Sequence, residues 1–337
     1  MNARGSSRAA TRRLNCCVTT FDERPMKAFF SSPKVRKALS LGLLLLVVVF
    51  AGLALKSSWS QVKDALHTLT FADLAIAYVL GVVSVWALFR AWRSILHGLH
   101  VDTLSNADTR TMFFCSQLGK YVPGSVWPAV IQTEIGSRSK VPRAVVLTSY
   151  AFALVAGVGI GGLFTAGTWT HRTTVWVNLS VLGAVLGGIM LCAAFVHPRG
   201  SQQLWRRLLR NRVAPGSMNE LAPRAMATVL AWTALGWTTL GVHAWVLARP
   251  LGASVGDLLF VMGSFALAWT AGLVALPLPA GAGLREVVLV ITLGRLIGHP
   301  AAISVALVSR LLMIINDVVL SLVAGLPRVL REIKARD

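Results

Sequence analysis

Read for hydropathy alone, the chain alternates between apolar runs of about twenty residues and short, basic connections. The apolar runs fall at 38–55, 71–90, 144–169, 174–197, 225–248, 257–277 and 301–325. A helix rises about 1.5 Å per residue and the hydrocarbon of a bilayer is about 30 Å thick, so roughly 20 apolar residues suffice to cross it. Each run is therefore predicted to be a transmembrane helix. Two further apolar stretches, about 111–131 and 281–298, are shorter or carry charge and Pro/Gly breaks. These are expected to be re-entrant or half-crossing.

The breaks are the most informative feature of the pattern. One reads Gly119-Lys120-Tyr121-Val122-Pro123-Gly124-Ser125-Val126-Trp127, the other Leu278-Pro279-Ala280-Gly281-Ala282-Gly283-Leu284-Arg285-Glu286. Each carries ionisable groups and leads to another proline, Pro142 or Pro300, that opens a further apolar span. Hydrocarbon cannot hydrogen-bond a broken backbone, so such breaks persist only inside protein or beside a wet cavity. Interrupted segments in corresponding places of two halves point to a transporter-type binding site. Setting Pro123 against Pro279 also aligns two glutamate-bearing stretches, at Glu134 and Glu286, and suggests pseudo-repeated halves despite poor identity.

Basic residues set the expected topology, since Lys and Arg accumulate on the cytoplasmic side. Residues 1–37 are polar and basic and read as a disordered cytoplasmic tail, with Met26 an alternative start. Residues 38–327 form the membrane domain, and 328–337 a basic C-terminal tail. The loop 56–70 holds only Lys56 and Lys63 and is placed outside, whereas 198–224 holds six arginines and is placed inside. Within it, Leu204-Trp205-Arg206-Arg207 suggests an amphipathic piece on the anionic leaflet. A cytoplasmic C-terminus requires 281–298 to complete a crossing. The expected fold is thus an all-α polytopic membrane protein of about seven to eight transmembrane helices.

Composition agrees: 55% hydrophobic and only 14% charged residues, with a mean hydropathy of +0.66. The net charge of +20 lies between apolar spans, which favours anionic lipid over nucleic acid as the partner. The four cysteines, Cys16, Cys17, Cys115 and Cys192, suggest neither a disulfide framework nor a zinc site. No cofactor or metal is expected.

Candidate chemistry concentrates at the breaks and in the last span. Gly281 and Gly283 permit tight backbone geometry, and Arg285 and Glu286 then sit in the first turn of a helix, where free N–H groups favour an anion and Arg adds a planar fork. The competing reading is a helical corner whose Arg and Glu merely pair with neighbours. Arg310 and Asp317, seven residues apart, share one face of the last span, with Asn316 adjacent; they either meet Arg285 and Glu286 or pin the helix through a structural ion-pair network. Lys120 either binds a headgroup phosphate or snorkels to the interface. Glu134 and Gln132 either line the same cavity or lie in a solvated exit.

Several motifs carry less. Gly157-Val158-Gly159-Ile160-Gly161-Gly162 matches a dinucleotide-binding pattern but lies mid-span without a βαβ context. Gly157/Gly161 and Gly183/Gly187 match GxxxG and are expected to let helices pack closely within the protein. Asn178-Leu179-Ser180 is a glycosylation triplet inside a span, and His243 is expected to be a packed residue. Trp59, Trp92, Trp169, Trp176 and Trp205 lie near span ends, as belt residues do. No nucleophile–base constellation is visible, so an enzyme is not expected.

Together the two broken motifs and Arg310 resemble the lysylphosphatidylglycerol synthase transmembrane (flippase-like) family, over about 40–330. The second motif departs at Ala280, where that family usually has glycine. The resemblance implies a bacterial cytoplasmic-membrane module that moves an aminoacylated, anionic or glycosylated lipid between leaflets. By the same likeness Lys120, Pro123, Gly124, Arg285, Glu286 and Arg310 would surround its cavity. The two-domain relatives add a soluble aminoacyl-transferase domain, and these 337 residues contain none, so moving a lipid is expected rather than making one. The alternative is a non-transporting accessory protein for an envelope-lipid synthase or glycosyltransferase.

Overall fold

Helix boundaries in the computed structural model follow local signals. It describes residues 63, 68–99, 101, 104–121, 126–139, 141–171, 174–196, 223–274 and 283–334. The 38–55 span, the N-terminal tail, Trp59, Trp205, most of the 198–224 loop, Pro123, Gly124 and Gly281 lie outside these residues.

Nine α-helices are present among the described residues: α1 Phe71–Gly98, α2 Asn106–Gln117, α3 Trp127–Arg138, α4 Arg143–Phe164, α5 Val175–Val196, α6 Pro223–Ala248, α7 Leu258–Val274, α8 Leu284–Ile297 and α9 His299–Lys334. Thr70 caps α1: its hydroxyl accepts from the Asp73 N–H at 3.2 Å while Asp73 accepts the Thr70 N–H at 3.0 Å. Such a reciprocal cap satisfies two otherwise orphaned donors. Ser105 caps α2 through the Asp108 N–H, and Pro142 precedes α4. Gly298, at φ +83°, makes the tight turn from α8 into α9 that a side-chain-bearing residue would adopt only with strain.

Among the described residues, six helical stretches are long and apolar enough to cross a membrane: 71–98, 143–170, 175–194, 224–251, 255–273 and 299–325. They coincide with the six expected spans that fall among the described residues. The chain is therefore an all-α, multi-pass membrane protein. Its lipid-facing surface is plain in α5, where Trp176 is 80% and Met190 71% exposed, an arrangement that water would penalise and hydrocarbon does not.

The broken stretches form short helices. α2 and α3 have 12 residues each and pack together as a hairpin on either side of the first break. α8 has 14 residues, about 21 Å of rise, which is less than the hydrocarbon thickness. The described part of the 281–298 stretch, 283–298, is thus shorter than the six long apolar helices. α9 continues to Lys334, so the first part of the basic C-terminal stretch is helical.

α1 packs along α6, α4 along α5, and α8 lies against both α7 and α9, while α9 also contacts α2. The buried core joins α6, α7, α8 and α9 through residues such as Leu247, Phe260, Phe265, Leu289 and Val305. Close approach is carried by glycines other than those the GxxxG spacing suggested. A Cβ at Gly162 would lie 2.4 Å from the Ala184 carbonyl oxygen, and one at Gly188 2.6 Å from that of Gly159. Gly157, Gly183 and Gly187 meet nothing within 4 Å; of the expected four, only Gly161 is tightly packed, against Trp237. Trp92 likewise departs from the belt reading: it is fully buried and donates its indole N–H to Ser149 at 3.1 Å.

Candidate functional site

The two broken segments meet on α9. After α2, the chain tightens into a turn at Leu118–Tyr121, which aims both Lys120 and Tyr121 at Asp317. Lys120 Nζ lies 2.7 Å from Asp317 Oδ2, and the Tyr121 hydroxyl donates to the same oxygen at 2.5 Å. Asp317 is 1% exposed. Its second oxygen, Oδ1, is buried with no hydrogen-bond partner. Neither reading for Lys120 named this partner: its side chain reaches Asp317 with about a third of it still accessible.

The second broken segment contributes from Gly283 onward. Gly283, at φ +88°, turns the chain into α8, and its N–H donates to Glu286 Oε2 at 2.7 Å. The other oxygen of Glu286, Oε1, accepts from Arg310 Nη1 in an ion pair. Arg285 has its guanidinium carbon 4.7 Å from the centre of the Phe265 ring of α7, a cation–π distance. Among the described residues it makes no salt bridge with a carboxylate. Arg285 and Arg310 are in electrostatic range of Tyr121, and Arg285 of Asp317.

Lys120, Arg285, Glu286, Arg310 and Asp317 are thus brought into one neighbourhood. Arg310 and Asp317 do share a face of α9, yet each takes its partner from a different broken segment. Gly283 shapes the turn into α8 and contributes only its N–H. Glu134 stands apart, half-exposed on α3 with Arg138 3.9 Å away. Gln132, its neighbour, is buried and donates to Ser116 at 3.1 Å, while its oxygen has no partner.

Sequence reasoning missed two participants, and noted Asn316 only as a neighbour of Asp317. Tyr121 was given no role, although a tyrosine next to Lys120 in a tight turn can follow it inward. Phe265 carried no signal beyond its apolar character. Asn316 is fully buried with neither amide atom hydrogen-bonded, and buried orphaned polar groups are rare enough to mark strain or an unfilled interaction. Beside the cluster, His243 is fully buried. Its Nδ1 lies 2.7 Å from the Ala77 carbonyl and its Nε2 2.9 Å from Ser309 Oγ. A carbonyl can only accept, so the proton sits on Nδ1 and Nε2 accepts from the serine, which ties α1, α6 and α9 together.

The balance of charge follows from these contacts. Three cations (Lys120, Arg285, Arg310) face two carboxylates (Glu286, Asp317), and the neighbouring stretches 122–125 and 275–282 contain no ionisable residue. A net positive neighbourhood, held on broken helices within an apolar bundle, is chemically suited to one anionic group.

This architecture defines a polytopic helical membrane protein with an ionisable cluster built on interrupted segments. The chain belongs to the lysylphosphatidylglycerol synthase TM region family, whose model matches residues 38–321. Comparison with curated proteins gave no match. Membership places it among membrane proteins of lipid metabolism or transport.

Proposed function

We propose that this chain is a flippase-like transporter of the bacterial cytoplasmic membrane, with its N-terminus inside, that moves an anionic or aminoacylated lipid between leaflets. The observation that carries this reading is Arg285. It is a guanidinium on a broken helix, stacked on Phe265, in electrostatic range of Glu286 but with no salt bridge of its own among the described residues, beside two cations that do have one. Charge buried in an apolar bundle is costly unless compensated, so a surplus cation there favours an incoming anion. A lipid phosphate matches the flat fork of Arg285 and the N-terminal end of α8. Lys120 and Arg310 flank it, while Asp317 and Glu286 hold those cations in place. Asp317 Oδ1 is additionally open to a donor from the headgroup.

The test is lipid movement in proteoliposomes carrying labelled aminoacylated, anionic and zwitterionic lipids. Wild type should accelerate one of the charged lipids, and Arg285→Ala should slow it about 10- to 100-fold, the loss of one charge-assisted hydrogen-bonding group. Wild-type movement by Arg285→Ala would overturn the site. No movement of any lipid by folded protein would overturn transport and leave the accessory role.

A further inference from the structure

A second guanidinium with no salt bridge among the described residues lies between α1 and α6. The Arg90 guanidinium lies 5.6 Å from the Trp86 ring centre and 5.3 Å from that of Trp232. The two rings are 5.4 Å apart and nearly perpendicular. Arg90 therefore sits in the angle of two indoles, held by cation–π attraction, and no carboxylate salt-bridges it among the described residues. Trp86 is 45% exposed, and Trp232 and Arg90 are half-buried.

The indole N–H groups reinforce the pattern. Those of Trp92, Trp237 and Trp245 donate within the protein, to Ser149, Gly157 and Ser254. Those of Trp86 and Trp232 find no protein acceptor among the described residues. The comparable Arg249–Trp245 pair at the other end of the bundle differs in having Asp73 in electrostatic range. At the Arg90 end the described carboxylates are engaged elsewhere: Asp108 with Ser105, Glu134 with Arg138.

Depth and charge identify the occupant. Arg90 lies 19 residues beyond Phe71, roughly 28 Å along α1, close to the thickness of the hydrocarbon. Met226 and Val229 of α6 pack with Ala91, Ile95 and Leu99 of α1, and Val141 and Val146 pack with Trp92 and Leu96. Arg93, Arg138, Arg143 and Arg224 therefore gather at this same end. An anionic surface attracts such a group, and indole rings favour headgroup depth. We infer that Arg90, Trp86 and Trp232 form a peripheral site for the phosphodiester of an anionic phospholipid in the adjoining leaflet. The guanidinium edge and two indole N–H groups would donate to its oxygens while the acyl chains lie along exposed Trp86. The site is separate from the α8–α9 cluster and does not depend on the transport reading.

The measurement is tryptophan quenching of the full chain in bilayers that contain brominated phosphatidylglycerol or, at equal mole fraction, brominated phosphatidylcholine. The reporter is the part of the signal lost in a Trp86→Phe/Trp232→Phe variant. Wild type should favour the anionic lipid about fivefold. Arg90→Gln should bring the ratio close to one, with Arg90→Lys falling between. Arg285→Ala should keep the wild-type preference. Equal quenching by both lipids in wild type, or full preference in Arg90→Gln, would overturn the site. So would loss of the preference in Arg285→Ala, or its abolition by excess inorganic phosphate, which would indicate a site for free anions.

Discussion

Removing Lys120 tests how the two broken segments are held to the last helix. Asp317 is 1% exposed, and its Oδ2 receives both Lys120 and Tyr121 while Oδ1 has no partner. Lys120→Met keeps the length and apolar stem of the side chain but leaves a buried carboxylate with one tyrosine hydroxyl. Breaking a buried pair from one side costs about 3–5 kcal/mol, whereas replacing both partners with neutral groups costs far less. Lys120 is partly accessible, so the lower end, about 3 kcal/mol, is expected. Asp317→Asn alone should cost about 1–3 kcal/mol, because Lys120 can still extend to water and Tyr121 keeps an acceptor. The double variant should be more stable than Lys120→Met by about 2 kcal/mol, since the stranded charge is gone. Thermal unfolding of the detergent-solubilised protein, followed by circular dichroism across wild type and the three variants, supplies the cycle. A Lys120→Met variant within 0.5 kcal/mol of wild type would refute the inward pairing and return Lys120 to the interface.

Three further substitutions probe the packing. Gly162→Ala should destabilise by about 1–3 kcal/mol, because its Cβ would meet the Ala184 carbonyl at 2.4 Å; Gly187→Ala, with nothing within 4 Å, should be neutral or stabilising by up to about 1 kcal/mol. Equal effects of the two in the same unfolding assay would discard the assigned α4–α5 contact. His243→Phe should cost about 1–3 kcal/mol by removing the link from Ala77 to Ser309, and an unchanged melting temperature would show that this link is dispensable.

Much of the architecture is legible in the sequence because the bilayer imposes a local rule. A run of apolar residues long enough to span hydrocarbon forms a helix whatever surrounds it, so seven spans could be drawn with no tertiary information, six of them among the described residues. Pro and Gly interrupt helices through their own backbone chemistry, and ionisable side chains stand out at membrane depth because burial is expensive. Lys120, Arg285, Glu286, Arg310 and Asp317 were all visible on that ground.

Partnership was decided elsewhere. Nothing in a seven-residue spacing tells that Arg310 turns to Glu286 while Asp317 turns to Lys120 and Tyr121, since those contacts span 24 and 196 residues of sequence and depend on how α2, α8 and α9 dock. Glu134 looked equivalent to Glu286 by alignment, yet it lies beside Arg138 on its own helix. The GxxxG spacing identified glycines, but which of them touch a neighbour depends on helix rotation, and rotation selected Gly162 and Gly188 over Gly183 and Gly187. Trp92, read as a belt residue, went to the core, while Trp86 and Trp232, which no motif singled out, came to flank Arg90. Local chemistry determines which residues are costly to bury; only the packing of distant helices determines what compensates them.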